Sequence, residues 1–193
     1  MARPREFSEP VVLQAAIDCF WQRGYEATSV RNLSIKMGMS TPSLYNAYGD
    51  KRGLYMRALE YYLDRTARAL IERLERSSPP KQAVRRFIEE IIEDSVSDAK
   101  RRGCFLVNSA LEVAPHDRKL RAFITSRLTE IEEFFCRSIE AAQAQGQIPK
   151  ERSAKDLARL FLSVLLGVRV LARSRPERSL LEDIARPVFA LLD

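Results

Sequence analysis

The sequence has little histidine, cysteine, glycine or proline. It contains one histidine and three widely separated cysteines among 193 residues. Protein zinc sites draw on several histidine or cysteine ligands, so a resident metal is not expected. The odd, scattered cysteines also argue against a disulfide framework, and nothing in the composition calls for a cofactor. No run of about 18 apolar residues occurs, so no membrane-spanning helix is expected.

Positive charge is only mildly in excess. Lysine and arginine number 32 against 26 acidic residues, a formal net charge of +6. An excess of this size is compatible with an anionic partner but does not identify one. The first apolar stretch is interrupted by Gln14 and Asp18, which argues against a secretory leader and favours a cytoplasmic protein.

Apolar residues recur at helical spacing along the chain, and no sustained two-residue alternation is found. The scarce glycines and prolines fall between these periodic segments. The pattern predicts an all-α fold of about nine helices. They are expected at about 8–23, 28–37, 42–48, 51–76, 81–100, 104–113, 117–145, 153–173 and 178–192.

The segment from Thr28 to Lys51 is the most informative part of the chain. It predicts two short helices joined by a tight turn through Gly38, which is the pattern of a helix-turn-helix. Small polar side chains on the second helix suit close approach to base edges. The residues expected to face DNA there are Ser40, Thr41, Pro42, Ser43, Tyr45 and Asn46.

Two basic residues flank this helix at positions suited to phosphate contacts. Lys51 is expected at the N-terminus of the following helix, where free backbone N–H groups favour anions. Arg31 is a second candidate on the preceding helix. An ordinary capped turn between two helices is the alternative interpretation of the same residues.

This segment and the end of the helix before it resemble the N-terminal signature of TetR-type transcriptional regulators. The resemblance covers about 40 residues, and Tyr48 stands where that family usually has phenylalanine. The positions that carry it are Phe20-x-x-x-Gly24-Tyr25-x-x-Thr28-Ser29-Val30, Gly38-Met39-Ser40 and Leu44-Tyr45-x-x-Tyr48-x-x-Lys51.

The resemblance implies a homodimer that binds double-stranded operator DNA and a small-molecule effector. Residues 1–50 would bind DNA, and residues 51–193 would bind the effector and dimerise. By position, Ser29, Arg31, residues 40–46 and Lys51 would contact the operator. An N-terminal arm with Arg3 and Arg5 could reach an adjacent minor groove. A repressor is favoured, although the sequence does not separate it from an activator.

Candidates for the effector site come from the second and longer part of the chain. Asn108 and Glu112 lie one turn apart on an apolar helix and could contact a polar ligand group. Cys104 follows three basic residues at a helix N-terminus, an environment that stabilises a thiolate. The segment 103–108 resembles one that carries an oxidant- or electrophile-sensing cysteine in a subset of these regulators. The other candidates are Tyr62, Phe87, Phe105, Phe135 and Phe161.

The two last helices are more apolar than a single core stripe requires. A four-helix dimer interface would explain this surplus, with burial inside one subunit as the alternative. The expected interface residues are Leu160, Val164, Leu165, Val168, Leu181, Ile184 and Val188.

Two other classes of function can be compared with the sequence. A hydrolase using Cys104 and His116 is disfavoured, because no third group orients the base and no glycine-rich loop is present. A helical ligand-binding protein without a DNA function would keep the same fold but would show no salt-dependent affinity for DNA.

Overall fold

The structure, a computed structural model, describes residues 8–193. This part of the chain forms ten α-helices and a final 3-10 turn, which confirms the all-α prediction. Arg3 and Arg5 of the expected N-terminal arm lie outside the described residues. The helices are α1 Glu9–Arg23, α2 Val30–Met37, α3 Thr41–Tyr48, α4 Lys51–Arg65, α5 Ala67–Ser77, α6 Pro80–Ser97, α7 Phe105–Glu112, α8 Arg118–Ala144, α9 Ala154–Leu171 and α10 Arg178–Phe189, followed by Ala190–Leu192.

Local capping signals set the ends of α2 and the start of α3. Ser29 accepts a hydrogen bond from the backbone N–H of Asn32 and begins α2 with a capping box. Gly38 ends α2 in the left-handed conformation, with φ of 65°. Ser40 then accepts a hydrogen bond from the backbone N–H of Ser43 and begins α3. Both helices therefore start and stop where the sequence predicts.

The predicted single helix over 51–76 is wrong, because the chain breaks at Thr66. This residue has φ of −122° and ψ of −95°, outside the helical region, and it separates α4 from α5. Its side-chain Oγ1 donates to the carbonyl of Tyr62 at 2.8 Å, a back-bond that commonly bends helices. The break allows Leu70 and Leu74 of α5 to be buried in the core.

The larger core lies between α6, α8 and α9 and is covered by α10. Four phenylalanines form its centre, with neighbouring ring centroids 5.2–5.7 Å apart, in the distance range that aromatic pairs prefer. Pro187 lies inside α10, which continues past it to Phe189. Within residues 8–193, no helix is both long and apolar enough to cross a bilayer. The four rings are those of Phe87, Phe134, Phe135 and Phe161.

Candidate DNA-binding surface and ligand cavity

Helix α3 presents one exposed face and is anchored by one buried residue. Leu44 is fully buried and packs α3 onto the hydrophobic core. Thr41, Pro42 and Asn46 are exposed, and Tyr45 keeps 45% of its surface accessible. This exposure leaves a face of mainly small side chains with hydrogen-bonding groups, which can approach base edges closely.

The serines expected to face DNA also hold the helices in place. The hydroxyl of Ser40 accepts from the backbone N–H of Ser43 at 3.2 Å, and the two hydroxyls are 2.8 Å apart. Ser29 caps α2 in the same way, through Asn32 N–H at 3.1 Å. A hydroxyl has one donor and two acceptor sites. The Ser29 hydroxyl also donates to Asn32 Oδ1, so it keeps one acceptor site free, and the Ser40 hydroxyl keeps either a donor or an acceptor site free. A DNA contact and a cap are therefore compatible at both positions.

The basic residues near α3 differ in their surroundings. Arg31 is exposed and forms no ion pair within residues 8–193. The ammonium of Lys51 lies 4.3 Å from the centroid of the Tyr25 ring, a cation–π contact. It also donates to the carbonyl of Glu26 at 3.4 Å. These contacts hold Lys51 beside the loop between α1 and α2.

The start of α4 is less open to an anion than the sequence suggests. The carboxylate of Asp50 accepts from the backbone N–H of Gly53 at 2.7 Å. One of the N–H groups that a phosphate could use is thus occupied by the chain's own cap. Lys51 remains the cationic group at this helix end.

A cavity of about 540 Å³ lies between α4, α5, α6, α8 and α9, within the size range of sites for small organic ligands. Three of the predicted effector residues line it, namely Tyr62, Phe87 and Cys104. Arg169 of α9 also lines the cavity and was not predicted from the sequence, where it is one of 32 basic residues. An adjoining cavity of about 430 Å³ shares Tyr62 and Arg169 with the first.

The remaining effector candidates lie elsewhere. Asn108 donates to the carbonyl of Arg102 at 2.8 Å, and Glu112 accepts from the backbone N–H of Tyr25 at 2.6 Å. Both polar groups therefore serve internal contacts, and they line a separate cavity of about 420 Å³ rather than the cavity of 540 Å³. Phe105, Phe135 and Phe161 are fully buried in the core and do not line this cavity either.

Cys104 is the half-buried N-cap residue of α7. The hydroxyl of Tyr62 donates to its sulfur at 3.7 Å, and burial raises the pKa of that hydroxyl, with the neighbouring thiol as a second cause. The preceding basic residues do not gather around the thiol as expected. Lys100 and Arg101 are exposed, and the Arg102 guanidinium lies over the Trp21 ring, 4.3 Å from its centroid.

A hydrolytic pair of Cys104 and His116 does not fit the helix between them. Cys104 precedes α7, and His116 is an exposed residue in the turn after it. The eight residues of α7 span about 12 Å, whereas a nucleophile and its base must be in hydrogen-bond reach. Within residues 8–193 no cluster of three or more potential metal ligands is found.

The predicted interface residues of α9 and α10 divide into two groups. Leu165, Val168, Leu181 and Val188 are buried in the subunit's own core, so their side chains are not available to a partner, contrary to expectation. Leu160, Val164 and Ile184 remain exposed or half-buried. Val170 and Leu171, which sequence reasoning missed, add exposed apolar surface on α9.

Comparison with known proteins places these features in a family. Residues 12–58 match the model of the bacterial regulatory proteins of the tetR family, and residues 80–187 match the tetracyclin repressor-like C-terminal domain. The second match alone covers more than half of the chain. The chain belongs to the TetR family. It is a DNA-binding transcriptional regulator by this membership, which is not membership of an enzyme family.

Individual TetR-family relatives match over nearly the whole chain. The uncharacterized regulator YezE of Bacillus subtilis is 31% identical over the full length of both chains. The repressor ComR of Escherichia coli is 28% identical over 98% of this chain and 90% of its own. A cysteine-substituted variant of the TetR-family regulator CifR, solved with a 26-base-pair operator DNA, is 31% identical. It has a TM-score of 0.87 over 97% of this chain and 98% of its own.

Proposed function

We propose that this TetR-family chain is a homodimeric repressor that binds a palindromic or pseudopalindromic operator and is released by a small molecule. The observation that carries this proposal is the course of α4. The helix begins at Lys51, directly after α3, and its last turn supplies Tyr62, Leu63 and Arg65 to the cavity wall. A ligand that changes the cavity therefore acts on the helix that follows the DNA-reading element.

Two further contacts join α7 and the loop before it to α1 and the loop that follows α1. The Trp21 indole N–H donates to the carbonyl of Arg102 at 3.2 Å, and Glu112 accepts from Tyr25 N–H at 2.6 Å. Arg102 belongs to the loop that lines the smaller cavity. These contacts give a second route by which ligand binding can shift the DNA-binding helices.

We infer that the operator is contacted by exposed groups of α2, α3 and the start of α4. A dimer of such units reads half-sites about 34–36 Å apart, so a few ångströms of displacement weakens the second contact. Coupling of about 1–3 kcal/mol between ligand and DNA is typical of such systems. The regulator would act in the cytoplasm of a bacterium, at its DNA. The inferred contact residues are Ser29, Arg31, Ser40, Thr41, Pro42, Ser43, Tyr45, Asn46 and Lys51.

The accessible apolar side chains of α9 and α10 support dimerisation through these helices. Leu160 and Val170 are exposed by 38% and 41%, and Val164 and Ile184 are partly accessible. Exposed apolar side chains gathered on neighbouring helices are typical of subunit interfaces. The helix pair of one subunit would pack against its symmetry mate in a four-helix arrangement.

Operator binding by single alanine variants tests the DNA-contact part of the proposal. A binding site selected from random DNA is titrated at several salt concentrations with Tyr45→Ala, Lys51→Ala and the control Lys150→Ala, an exposed residue far along the chain. Loss of the Lys51 contact to a phosphate should lower the salt slope by about 1 per subunit, whereas loss of the neutral Tyr45 contact should lower the affinity without changing the slope. Unchanged affinity and slope in both test variants would contradict this docking.

A redox- or electrophile-sensing repressor is the second candidate, and the position of Cys104 favours it. Its half-buried sulfur lines the cavity and accepts the Tyr62 hydroxyl, so a modified thiol would disturb the same wall that a ligand contacts. Peroxide or a quinone should then release wild-type protein from DNA but not Cys104→Ser. Equal release of both proteins would refute the sensor, and Cys136→Ser is the matched control.

A further inference from the structure

The strongest unassigned feature is the side chain of Arg169, which is buried at the junction of the two cavities. Only 11% of the side chain is exposed, and it lines both cavities. One terminal nitrogen donates to the Ser95 hydroxyl at 3.1 Å, and the other lies 3.6 Å from the Asp94 carboxylate. A guanidinium has five N–H donors, so these contacts leave part of its hydrogen-bonding capacity open.

The carboxylate that accompanies Arg169 compensates its charge poorly. The Asp94 side chain is 68% exposed, and ion pairs of such solvated groups are weak. The guanidinium, in contrast, has lost most of its hydration, which is costly without a close partner of opposite charge. The cavity side of Arg169 is therefore a favourable place for a second, buried anion.

The other polar groups of the larger cavity fit the same ligand chemistry. The Tyr62 hydroxyl has only the Cys104 sulfur, a weak acceptor, as its side-chain partner, so it can turn toward a stronger acceptor. Four arginines and two acidic residues line the cavity, a net positive surrounding. They are Arg65, Arg73, Arg76 and Arg169, with Glu90 and Asp94.

The cavity wall also has an apolar part, which can hold a hydrocarbon body. It is formed by side chains from five helices, and burial of apolar ligand surface against them is favourable. Cationic and apolar lining groups in one cavity of about 540 Å³ favour a molecule that is itself amphipathic. The apolar lining residues are Leu70, Phe87, Ile91, Leu106, Ile131 and Leu165.

We propose that the effector is an amphipathic organic acid whose carboxylate binds Arg169 and the Tyr62 hydroxyl. Its apolar body lies against Leu70, Ile91 and Ile131, which keep some accessible surface. This inference rests on the proposed ligand-relieved repression, because it names the ligand class of that cavity. A carboxylate matches the planar fork of a guanidinium in a bidentate pair, whereas an amine is repelled and a neutral alcohol leaves the charge without a partner.

Calorimetry on the full chain without DNA tests the ligand class separately from repression. The probes are hexanoate, octanoate and 4-phenylbutyrate, with octanol, octylamine and octanoyl-coenzyme A as comparisons. At least one free carboxylate should bind tenfold or more tightly than octanol, and octylamine should bind weakest. Equal binding of octanol, or failure of all three carboxylates, would overturn the proposal. Preference for the coenzyme A thioester would also overturn it, since the anion would then be a phosphate.

Variants locate the bound carboxylate. Arg169→Gln should weaken binding by about tenfold to a hundredfold, the loss expected for a charged hydrogen-bonded pair. Tyr62→Phe should weaken it by about two- to tenfold. Arg175→Gln, which removes an exposed charge in the loop after α9, should have no effect. Wild-type affinity in Arg169→Gln would refute the assignment.

Two further measurements keep the test decisive. Thermal unfolding without ligand shows whether Arg169→Gln folds. If it does not fold, Arg169→Lys is measured in its place. This variant must bind the carboxylate more weakly than wild type, because it keeps the charge but loses the planar fork of the guanidinium. Undiminished affinity would refute the bidentate pair. Operator titration is run separately. A carboxylate that binds through Arg169 but does not release DNA would confirm the site and contradict ligand-relieved repression.

Discussion

Replacement of Gly24 by alanine should destabilise the protein through both backbone strain and loss of a contact between α7 and the α1–α2 loop. Gly24 ends α1 with φ of 78° and ψ of 169°, a region that is essentially restricted to glycine. A Cβ added there would overlap the Glu112 carboxylate, which accepts from the backbone N–H of Tyr25. Gly24 is also part of the motif by which the sequence resembles its family.

The size of this effect can be worked out against a matched glycine. Strain at such a backbone conformation costs about 1–3 kcal/mol, and displacement of Glu112 adds about 1 kcal/mol for a hydrogen bond at an exposed site. We expect Gly24→Ala to lower the free energy of unfolding by about 3 kcal/mol. Gly38 has φ of 65° and ψ of 21° with open space around it, so Gly38→Ala should cost only about 1 kcal/mol.

Urea denaturation followed by circular dichroism measures both variants, at one protein concentration because a dimer's stability depends on it. The double variant Gly24→Ala/Glu112→Ala separates strain from overlap. The loss of unfolding free energy in the double variant should be smaller than the sum of the losses in the two single variants by at least about 0.5 kcal/mol, since the overlapping carboxylate is gone. A smaller cost for Gly24→Ala than for Gly38→Ala, or strict additivity in the double variant, would refute the reasoning.

Two other predictions follow from burial and charge. Leu160→Glu should produce folded monomers in sedimentation, because this side chain faces outward. Leu165→Glu should instead unfold the subunit, because Leu165 is only 4% exposed. A persistent Leu160→Glu dimer would exclude this interface. Asp117→Ala should lower stability by about 1 kcal/mol at pH 7, since Asp117 caps α8. Hydrogen bonds from Leu120 N–H lower the pKa of Asp117, with Arg52 at 2.8 Å contributing. The part of the wild-type advantage that depends on the carboxylate charge should therefore be complete above the unfolded pKa near 3.9 and be lost as pH falls through the lower folded value. An equal advantage in urea titrations at pH 7 and pH 2 would contradict this.

The helix-turn-helix could be predicted from the sequence because its signals are local. Ser29, Gly38 and Ser40 act on backbone groups within three or four residues, and each lies where the structure begins or ends a helix. Such capping choices depend little on the rest of the fold. The same holds for Leu44, the single large aliphatic residue of α3, which marks the buried side of this helix.

The break at Thr66 could not be predicted in this way. The sequence has neither glycine nor proline there, and the apolar spacing continues through it. The bend appears where α5 turns to bury Leu70 and Leu74 against the core, which is a demand of packing between distant helices. Periodicity reports that a face is apolar but carries no information about a change in helix direction.

The sequence by itself determined the all-α class, the helix-turn-helix and the family. Only the tertiary structure decided which apolar residues line a cavity, which form the core and which remain on the outside. Phe87 and Phe161, or Leu160 and Leu165, look alike in a helical pattern but differ in what they contact. Arg169 shows the same limit for charge, because its hydrogen-bond partner Ser95 lies 74 residues away in the chain. These assignments depend on which helix faces pack against each other, and a local sequence pattern does not specify contacts between residues that are distant in the chain.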